Sequence, residues 1–293
     1  MHPQVEKLLQ IPQFEQRSPE WFSQRKNLLT SSDIDTVLGN NKKYSQPDDV
    51  LFKKCGIFKP FTGNVNTRHG HKYEDEAIQH YCRLYNKETK SFGLLPHPTI
   101  SWLGGSPDDI TTDGIVIEVK CPLVRKIVQG QIPDHYVAQV KMNMEICDLD
   151  KAVFIEYKPK TEEKEMELNI IHIDRDPEWF KSVYPILENF WNEVLYYRKV
   201  GIDKHPKYEK QMRKLFPLRY EICSIKNIEE SSCESIYRNQ EMMEVDEVIN
   251  EENTLNNNEK VDEVINEENT LNNNEKVDEV INEENTLNNN EKV

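Results

Sequence analysis

Three identical copies of a 16-residue unit, VDEVINEENTLNNNEK, fill residues 245–292 and confine any folded core to the residues before them. Each copy carries five acidic residues and one lysine, so the three copies hold −12 of the formal net charge of −15. Few apolar residues and a high charge density favour disorder, although the Val and Ile spacing hints at one helical turn. We predict a nearly neutral folded domain over 1–225, a linker over 226–244 and a disordered acidic tail over 245–293.

The six cysteines are scattered and form neither a CxxC pair nor a metal-finger spacing. We therefore expect buried thiols in a reducing compartment rather than disulfides or an iron–sulfur cluster. No stretch approaches the run of about 18 apolar residues that spans a membrane, and the first residues lack the apolar core of a signal peptide. These features predict a soluble intracellular protein with no membrane partner, in the host cytoplasm or nucleus if the chain is viral.

The spacing of apolar residues changes along the chain from helical to strand-like and back. Helical spacing and helix-start residues predict helices over 18–27, 32–39, 47–58, 66–87, 133–148 and 176–201. Alternating, β-rich segments predict strands over 99–105, 108–114, 115–121, 151–159 and 166–173. Strands in the middle of the chain with helices on both sides indicate an α/β (α+β) layered domain.

One predicted hairpin carries three functional side chains in an otherwise apolar segment. Asp108 precedes the turn at Asp113–Gly114, and Glu118 and Lys120 lie on the second strand. Residues two apart on a strand project to the same face, so Glu118 and Lys120 share a face. Such a pair alone is more typical of a solvated edge strand. The tight turn, however, can bring the carboxylate of Asp108 beside that of Glu118.

The pairing of Asp108 with Glu118 predicts a metal site. Two carboxylates at one point repel, and they are tolerated where a divalent cation lies between them. Oxygen ligands suit Mg²⁺ better than Zn²⁺, which prefers His or Cys. An adjacent lysine can position or deprotonate a water molecule that the metal activates. The hairpin is therefore typical of a nuclease that hydrolyses phosphodiesters.

The segment SPDD…EVKCP, at 106–122, resembles the PD-(D/E)xK core of the phage lambda exonuclease and YqaJ viral recombinase family. Three further segments resemble motifs of that family in the same order. The segment 21–32 is similar to its W-x3-R-x4-T-x-S motif, 70–74 to its G-x3-E helix and 136–139 to the start of its Y-x2-Q helix. The resemblance covers about residues 15–200 and implies a restriction-endonuclease-like core with a central mixed sheet flanked by helices.

The resemblance also implies roles for the residues that match the motifs. Asp108 and Glu118 would ligate the metal, with the main-chain carbonyl of Val119 as a further ligand. Glu74 would bind a second metal ion or hold a water molecule. Lys120 would serve the nucleophilic water as general base or orienting group. The family pattern usually has Gly after the motif Asp, whereas this chain has a third carboxylate there, at residue 109.

A second set of residues would face the substrate. Gln139 would contact the scissile region and complete the catalytic set. Arg25 and Ser32 would form a pocket for the 5′-phosphate of a DNA end, and Ser106 would join it. Plain alternatives stay open: Ser32 could cap its helix, Arg25 and Gln139 could face solvent, and Glu74 could be an ordinary first-turn acid.

The activity that the resemblance implies is a Mg²⁺-dependent, alkaline-nuclease-like exonuclease with one or two ions, in which Mn²⁺ substitutes for Mg²⁺. It would hydrolyse duplex DNA 5′ to 3′ from 5′-phosphorylated ends, for viral recombination, repair or genome processing. Its partners would be double-stranded DNA ends and a single-strand annealing protein, with a monomer and a ring-shaped homotrimer both open. The alternatives are a structure- or single-strand-specific endonuclease on the same core, or a catalytically silent scaffold that binds DNA ends.

Overall fold

The computed structural model describes residues 1–59, 63–162 and 164–217, and the predicted linker and acidic tail lie outside them, as does the boundary at 225. Residues Met1–Phe216 form one unit. The α-helices of the described part are α1 (Pro3–Leu9), α2 (Pro19–Lys26), α3 (Ser31–Val37), α4 (Pro47–Lys54), α5 (Val65–Tyr85), α6 (Asp134–Cys147), α7 (Pro177–Val200) and α8 (Tyr208–Leu215). The strands are β1 (Leu29–Thr30), β2 (Thr89–Lys90), β3 (Leu95–Pro96), β4 (Leu103–Gly105), β5 (Asp109–Thr111), β6 (Ile115–Lys120), β7 (Lys151–Lys158) and β8 (Glu167–Asp174).

The central sheet has five strands in the order β2-β5-β6-β7-β8 and is mixed, as predicted. Strands β6 and β7 run parallel, while the other neighbouring pairs run antiparallel. The hairpins β5–β6 and β7–β8 confirm the two predicted from the sequence. A smaller sheet has the order β1-β4-β3, so β4 pairs outside the central sheet.

Helices cover both faces of the central sheet. Val116 of β6 packs in the same apolar cluster as residues of α6, whereas Ile117 and Val119 pack with residues of α5. Because successive residues of a strand point to opposite faces, α5 and α6 lie on opposite sides of β6. The helical stripe that the sequence predicts on α5 accounts for its share of this core: Ala77 and Tyr81 are fully buried. The predicted layered α/β (α+β) class is confirmed.

Capping residues set the starts of several helices. The Ser18 hydroxyl accepts a hydrogen bond from the main chain of Trp21 at the start of α2, as the Ser-Pro signal predicts. At α3 the Asp33 carboxylate accepts hydrogen bonds from both the main-chain N–H and the hydroxyl of Thr30, the N-cap residue. The alternative that Ser32 caps this helix is therefore wrong.

Helix α7 is tied by its last turn to the ends of two other helices. The Arg198 guanidinium donates hydrogen bonds to the carbonyl of Lys54, at the end of α4, with nitrogen–oxygen distances of 2.7 and 2.9 Å. It also donates to the carbonyl of Lys26, at the end of α2. Carbonyls at helix C-termini lack helical partners, so a cation there satisfies them and complements the helix dipole.

Several short elements differ from the sequence prediction. The strands predicted over 99–105 and 108–114 shorten to three residues each, β4 and β5. The pattern does not predict α1, α8 or the two-residue strands β1, β2 and β3, because such short elements show too little periodicity. Among the described helices, none combines the length and apolar composition needed to cross a bilayer.

Candidate active site

The β5–β6 hairpin brings Asp108 against the strand that carries Glu118, as predicted. The Asp108 carboxylate accepts a hydrogen bond from the main-chain N–H of Val119, with an N–Oδ2 distance of 2.6 Å. Its own N–H donates to the carbonyl of Ile117 at 3.2 Å. Gly114, at φ +91°, provides the left-handed turn conformation that a side chain would disfavour. The first hydrogen bond fixes the Asp108 carboxylate beside β6, and the second fixes its main chain there.

Glu118 is fully buried, and three side chains hold its carboxylate. Oε1 accepts hydrogen bonds from Lys120 Nζ and from Gln139 Nε2, the latter at 2.6 Å. Oε2 accepts one from Asn143 Nδ2 at 2.9 Å. The solvated-pair alternative is therefore wrong for Glu118, and so is the alternative that Gln139 faces solvent. Sequence reasoning missed Asn143.

Burial and mutual repulsion set the charges of these acids. Burial raises the pKa of Glu118 to about 8; Lys120 lowers it in part, and Asp108 raises it further. Burial, and then the charge of Asp108, raise the pKa of Glu74 to about 7. Burial also raises the pKa of Asp108. Each carboxyl group is thus harder to ionise in the folded protein than in water.

Lys120 responds to the same surroundings in the opposite sense. Burial opposes its charge, but Glu118 and Asp108 hold the pKa of Lys120 well above its usual value. Its ammonium group lies 5.2 Å from the ring centre of Tyr136, a distance at which the ring also favours a cation. Lys120 is therefore a protonated hydrogen-bond donor in this arrangement.

Glu74 approaches the hairpin from α5. This helix begins at Val65, and its first turn contains no acidic residue, so the alternative that Glu74 is a first-turn acid is wrong. Glu74 Oε2 lies 3.8 Å from Arg17 Nη2. The charge of Asp108 raises the pKa of Glu74, and the charges of Asp108 and Glu74 raise that of Glu118, so the three carboxyl groups act on one another electrostatically.

The donor chemistry of this centre fits a divalent cation. Carboxylate oxygens are the ligands that Mg²⁺ prefers, and its charge would favour the ionised forms of Glu118 and Glu74, whose pKa values are raised by burial first and by mutual repulsion second. Within the described residues, no group of three or more His, Cys, Asp or Glu side chains is arranged so that it could hold a metal ion. The Glu118 oxygens instead bind Lys120 and the two amides, so a cation would have to replace one of these contacts.

The three residues predicted to bind a terminal phosphate also come together. Arg25 Nη2 donates to the hydroxyls of Ser32 (2.8 Å) and Thr30 (3.2 Å). The Arg25 guanidinium lies 4.3 Å from the ring centre of Trp21, whose Nε1 donates to Ser106 Oγ at 3.1 Å. Trp21 thereby links Arg25 to Ser106. Arg25 is half-buried and burial lowers its pKa, which contradicts the alternative of a solvated helix residue.

A buried ion pair supports this pocket from behind. The Asp33 carboxylate lies 2.8 Å from Lys54 Nζ and 3.4 Å from Lys53 Nζ. Lys54 Nζ also donates to the main-chain carbonyl of Arg25 at 2.9 Å. Burial opposes the charge of Asp33, but Lys54, Lys53 and Arg25 together hold its pKa far below the usual value. Sequence reasoning missed this pair, which anchors the backbone of Arg25.

Residues 20–150 match the YqaJ-like viral recombinase domain family. We refer to this segment as the YqaJ-like domain. It contains all the candidate residues: Arg25, Ser32, Glu74, Ser106, Asp108, Glu118, Val119, Lys120 and Gln139. The family resemblance read from the sequence is confirmed.

Known proteins resemble the YqaJ-like domain in sequence and in fold. The chain is 33% identical over 165 residues to uncharacterized protein R354 of Acanthamoeba polyphaga mimivirus; the match covers 50% of this chain and 30% of that protein. The chain thus spans about a third of that relative's length. The alkaline exonuclease LHK-Exo from Laribacter hongkongensis superimposes with a TM-score of 0.53 at 22% identity, covering 62% of this chain and 95% of LHK-Exo. Its complex with dAMP gives 0.54 at 22% identity and covers 69% and 100%. The chain therefore shares the fold of this exonuclease, with a central mixed sheet flanked by helices as predicted.

Asp109, the departure from the family pattern, turns away from the carboxylate centre of the YqaJ-like domain. It is buried, and burial raises its pKa, while the hydroxyls of Thr89 and Ser91 stabilise its charged form. The charge of Asp109 still raises the pKa of Asp108. The extra carboxylate therefore acts on the centre through its charge.

Proposed function

We propose that the YqaJ-like domain is a Mg²⁺-dependent deoxyribonuclease that removes nucleotides 5′ to 3′ from 5′-phosphorylated ends of duplex DNA. The observation that carries the proposal is the arrangement in which the Asp108 carboxylate binds the main chain of β6 while the Lys120 ammonium binds the buried Glu118 carboxylate of the same strand. The fold of LHK-Exo, an alkaline exonuclease, supports it. The complex of LHK-Exo with dAMP supports a nucleoside monophosphate as the product class.

Asp108, Glu118 and Glu74 would hold one or two Mg²⁺ ions, which Mn²⁺ could replace, with the main-chain carbonyl of Val119 as a further ligand. A bound ion would supply Lewis-acid polarisation of the scissile phosphate and lower the pKa of water. Gln139 would keep Glu118 oriented through its hydrogen bond to Oε1. Gln139 would contact the scissile region once a cation replaces its hydrogen bond to Glu118.

Lys120 would act in this centre as an ammonium group. Since Glu118 and Asp108 raise its pKa, a proton stays on Nζ at neutral pH. A protonated lysine cannot accept a proton from water, which favours the orienting role over that of general base. Its Nζ would donate a hydrogen bond to the attacking water or to the phosphate oxygen on which negative charge develops.

The Arg25 pocket would anchor the end of the DNA. The Arg25 guanidinium can hold two phosphate oxygens at once, and the hydroxyls of Ser32 and Ser106 can donate to the others. A terminal phosphate carries more negative charge than an internal phosphodiester, since its second ionisation has a pKa of about 6. The pocket would therefore favour 5′-phosphorylated ends over 5′-hydroxyl ends.

The decisive experiment is digestion of a linear duplex, with and without a 5′-phosphate, in Mg²⁺, Mn²⁺ or chelator. We expect metal-dependent release of mononucleotides, faster with the phosphate, from the wild type and from Lys181→Ala, a surface control. We expect no release from Lys120→Ala. Cutting of circular DNA would establish the endonuclease alternative instead. Binding of DNA ends without hydrolysis in either metal would leave the scaffold alternative.

The wider role is part of the proposal. Resection from a 5′ end leaves a 3′ single strand, so a single-strand annealing protein is the expected partner in recombination, repair or genome processing. A ring-shaped homotrimer would enclose DNA and digest it processively, whereas a monomer would release it after few steps. Light scattering of the protein, combined with a processivity assay against trap DNA, separates the two.

A further inference from the structure

Arg17 occupies a strained backbone position beside the candidate centre. It lies in the turn closed by the hydrogen bond from Ser18 N–H to the carbonyl of Glu15 (3.2 Å), and its φ is +72°. This left-handed conformation is uncommon for residues other than Gly, Asn and Asp, because the β-carbon crowds the backbone there. A glycine would adopt it without strain.

Neighbouring residues fix the turn to the loop between β2 and β3 and to the segment that leads into the β5–β6 hairpin. Gln16 Nε2 donates to the carbonyls of Phe92 (2.8 Å) and Pro107 (3.3 Å), the latter just before Asp108. Gly93 N–H donates to Gln13 Oε1 at 2.6 Å. The backbone next to Arg17 is therefore held against the segment that carries Asp108, which places the Arg17 side chain at the carboxylate centre.

The Arg17 guanidinium makes only a loose contact there. Its Nη2 lies 3.8 Å from Glu74 Oε2, and the side chain is 51% exposed. Exposed pairs at such distances contribute little to stability, because solvent screens them and ordering two side chains costs entropy. Nevertheless its charge reaches both Glu74 and Asp108. Arg17 is thus a cation at the mouth of the centre, and its contact with Glu74 is weak enough to exchange for another anion.

We propose that Arg17 is a substrate-positioning residue that binds a backbone phosphate of the DNA strand entering the carboxylate centre, exchanging Glu74 for that phosphate. This inference rests on the proposed nuclease function. It assigns to Arg17 a phosphate distinct from the terminal one, since the Arg25 pocket is built from α2, β1 and α3, whereas Arg17 faces α5 and the hairpin. The strained turn fixes the backbone of Arg17 beside the centre before DNA arrives, which limits the ordering cost of binding to that of the side chain.

The test uses three variants of the full chain. Arg17→Gly removes the charge and relieves the strained φ, Arg17→Lys keeps both, and Arg83→Ala removes an exposed arginine at the far end of α5. We expect Arg17→Gly to melt at the same or a higher temperature than the wild type while its kcat/KM on a linear duplex falls about 10- to 100-fold, as loss of a charged hydrogen bond predicts. Arg17→Lys should lose less, and Arg83→Ala should match the wild type.

A salt titration separates phosphate binding from a structural role. The affinity for a fluorescent 5′-phosphorylated duplex is measured in Mg²⁺ on the Lys120→Ala background, which keeps the DNA intact. Losing one phosphate contact should reduce the slope of log affinity against log salt by about one for Arg17→Gly and leave it unchanged for Arg17→Lys. An unchanged slope and unchanged kcat/KM in Arg17→Gly would overturn the inference. If the wild type degrades no DNA, the proposed function fails, while the salt slope still decides whether Arg17 binds phosphate.

Discussion

Gln139 and Glu118 are joined by a hydrogen bond of 2.6 Å between Nε2 and Oε1, which connects α6 to β6 at the centre of the sheet. Asn143, one helical turn further along α6, donates to the other oxygen of the same carboxylate. Residues four apart lie on one face of a helix, so a single face of α6 sets the orientation of Glu118. Moving this helix relative to β6 would therefore misalign the carboxylate without removing any charged group.

We predict that Glu118→Gln abolishes metal-dependent hydrolysis but flattens the dependence of stability on pH. The pKa of Glu118 is raised in the folded state from about 4.5 to about 8. Between these two pH values the folded protein therefore retains a proton that the unfolded chain has already lost. The free energy of unfolding of the metal-free wild type should thus fall as pH rises through this window, by at most about 1.4 kcal/mol per pH unit for one group.

Urea denaturation in chelator at pH 5 and pH 8.5 checks this prediction. The side chain introduced by Glu118→Gln should fit the site, because Asn143 Oδ1 accepts no hydrogen bond from the described residues and could receive one from the new amide after a side-chain flip. A wild-type pH profile in the variant would contradict the assignment of the titration to Glu118. Glu74→Gln is the companion variant, since burial also raises the pKa of Glu74.

We predict that Arg25→Lys loses the preference for a 5′-phosphate, as Arg25→Ala does. Lysine keeps the charge but cannot donate two parallel hydrogen bonds, and it lacks the guanidinium group that lies 4.3 Å from the ring centre of Trp21. The rate on 5′-phosphorylated duplex should fall about 10- to 100-fold in both Arg25→Lys and Arg25→Ala, as for loss of a charged hydrogen bond. Rates on 5′-hydroxyl duplex are the control and should change little. Equal losses on both substrates would place Arg25 outside the terminal-phosphate pocket.

We predict that two adjacent lysines of α4 differ sharply in their effect on stability. Lys54→Met removes the buried partner of Asp33 and leaves that carboxylate with the half-exposed Lys53, so unfolding should become easier by about 3–5 kcal/mol. Lys53→Met removes a side chain that is 51% exposed and should cost less than about 1 kcal/mol. Chemical denaturation of both variants at neutral pH provides the comparison, and similar losses would show that the buried pair has no special role.

We predict that a methyl group at Gly105 disturbs the centre from behind. The added carbon would lie 2.5 Å from Asn143 Oδ1 and 2.9 Å from Ile146 Cδ1, which forces α6 or its side chains to move. Gly105→Ala should destabilise the fold by about 1–3 kcal/mol and reduce kcat, because Asn143 holds Glu118. Gly70→Ala is the control: within 4 Å, its methyl group would meet no atom of the described residues. It should stabilise α5 by about 0.5–1 kcal/mol. If Gly70→Ala lost activity while Gly105→Ala kept it, Asn143 would not be the residue through which Gly105 affects Glu118.

The sequence predicts the parts of the site that depend on local geometry. Strand alternation and the turn before Gly114 bring Asp108 to Glu118 within one hairpin, so a period of two residues and a turn signal suffice. Trp21 and Ser106 are 85 residues apart and meet only because β1 and β4 pair, and no periodicity encodes strands of two or three residues. Asn143 did leave a signal, since it is a polar residue within the apolar stripe of α6, but its partner depends on how α6 packs on β6.

The alternatives for Arg25, Gln139 and Glu74 illustrate the same limit. Each side chain has an ordinary surface role in a helix considered alone, and only the packing of that helix decides between this role and the functional one. Arg25 depends on α2 meeting β1 and α3, and Gln139 on α6 meeting β6. The order of the motifs along the chain predicts this packing only indirectly, through the resemblance to a family whose fold brings these helices together.

The hydrogen bonds from Arg198 to the ends of α2 and α4 show that the folded unit extends beyond residues 20–150, the segment that matches the family. A fragment cut after residue 150 would keep every candidate residue. It would lose β7, which pairs with all six residues of β6, and the arginine that joins the helices carrying Arg25 and Lys54. Transplanting the chemistry into another scaffold would therefore require β7 and α7 as well as the motif segments.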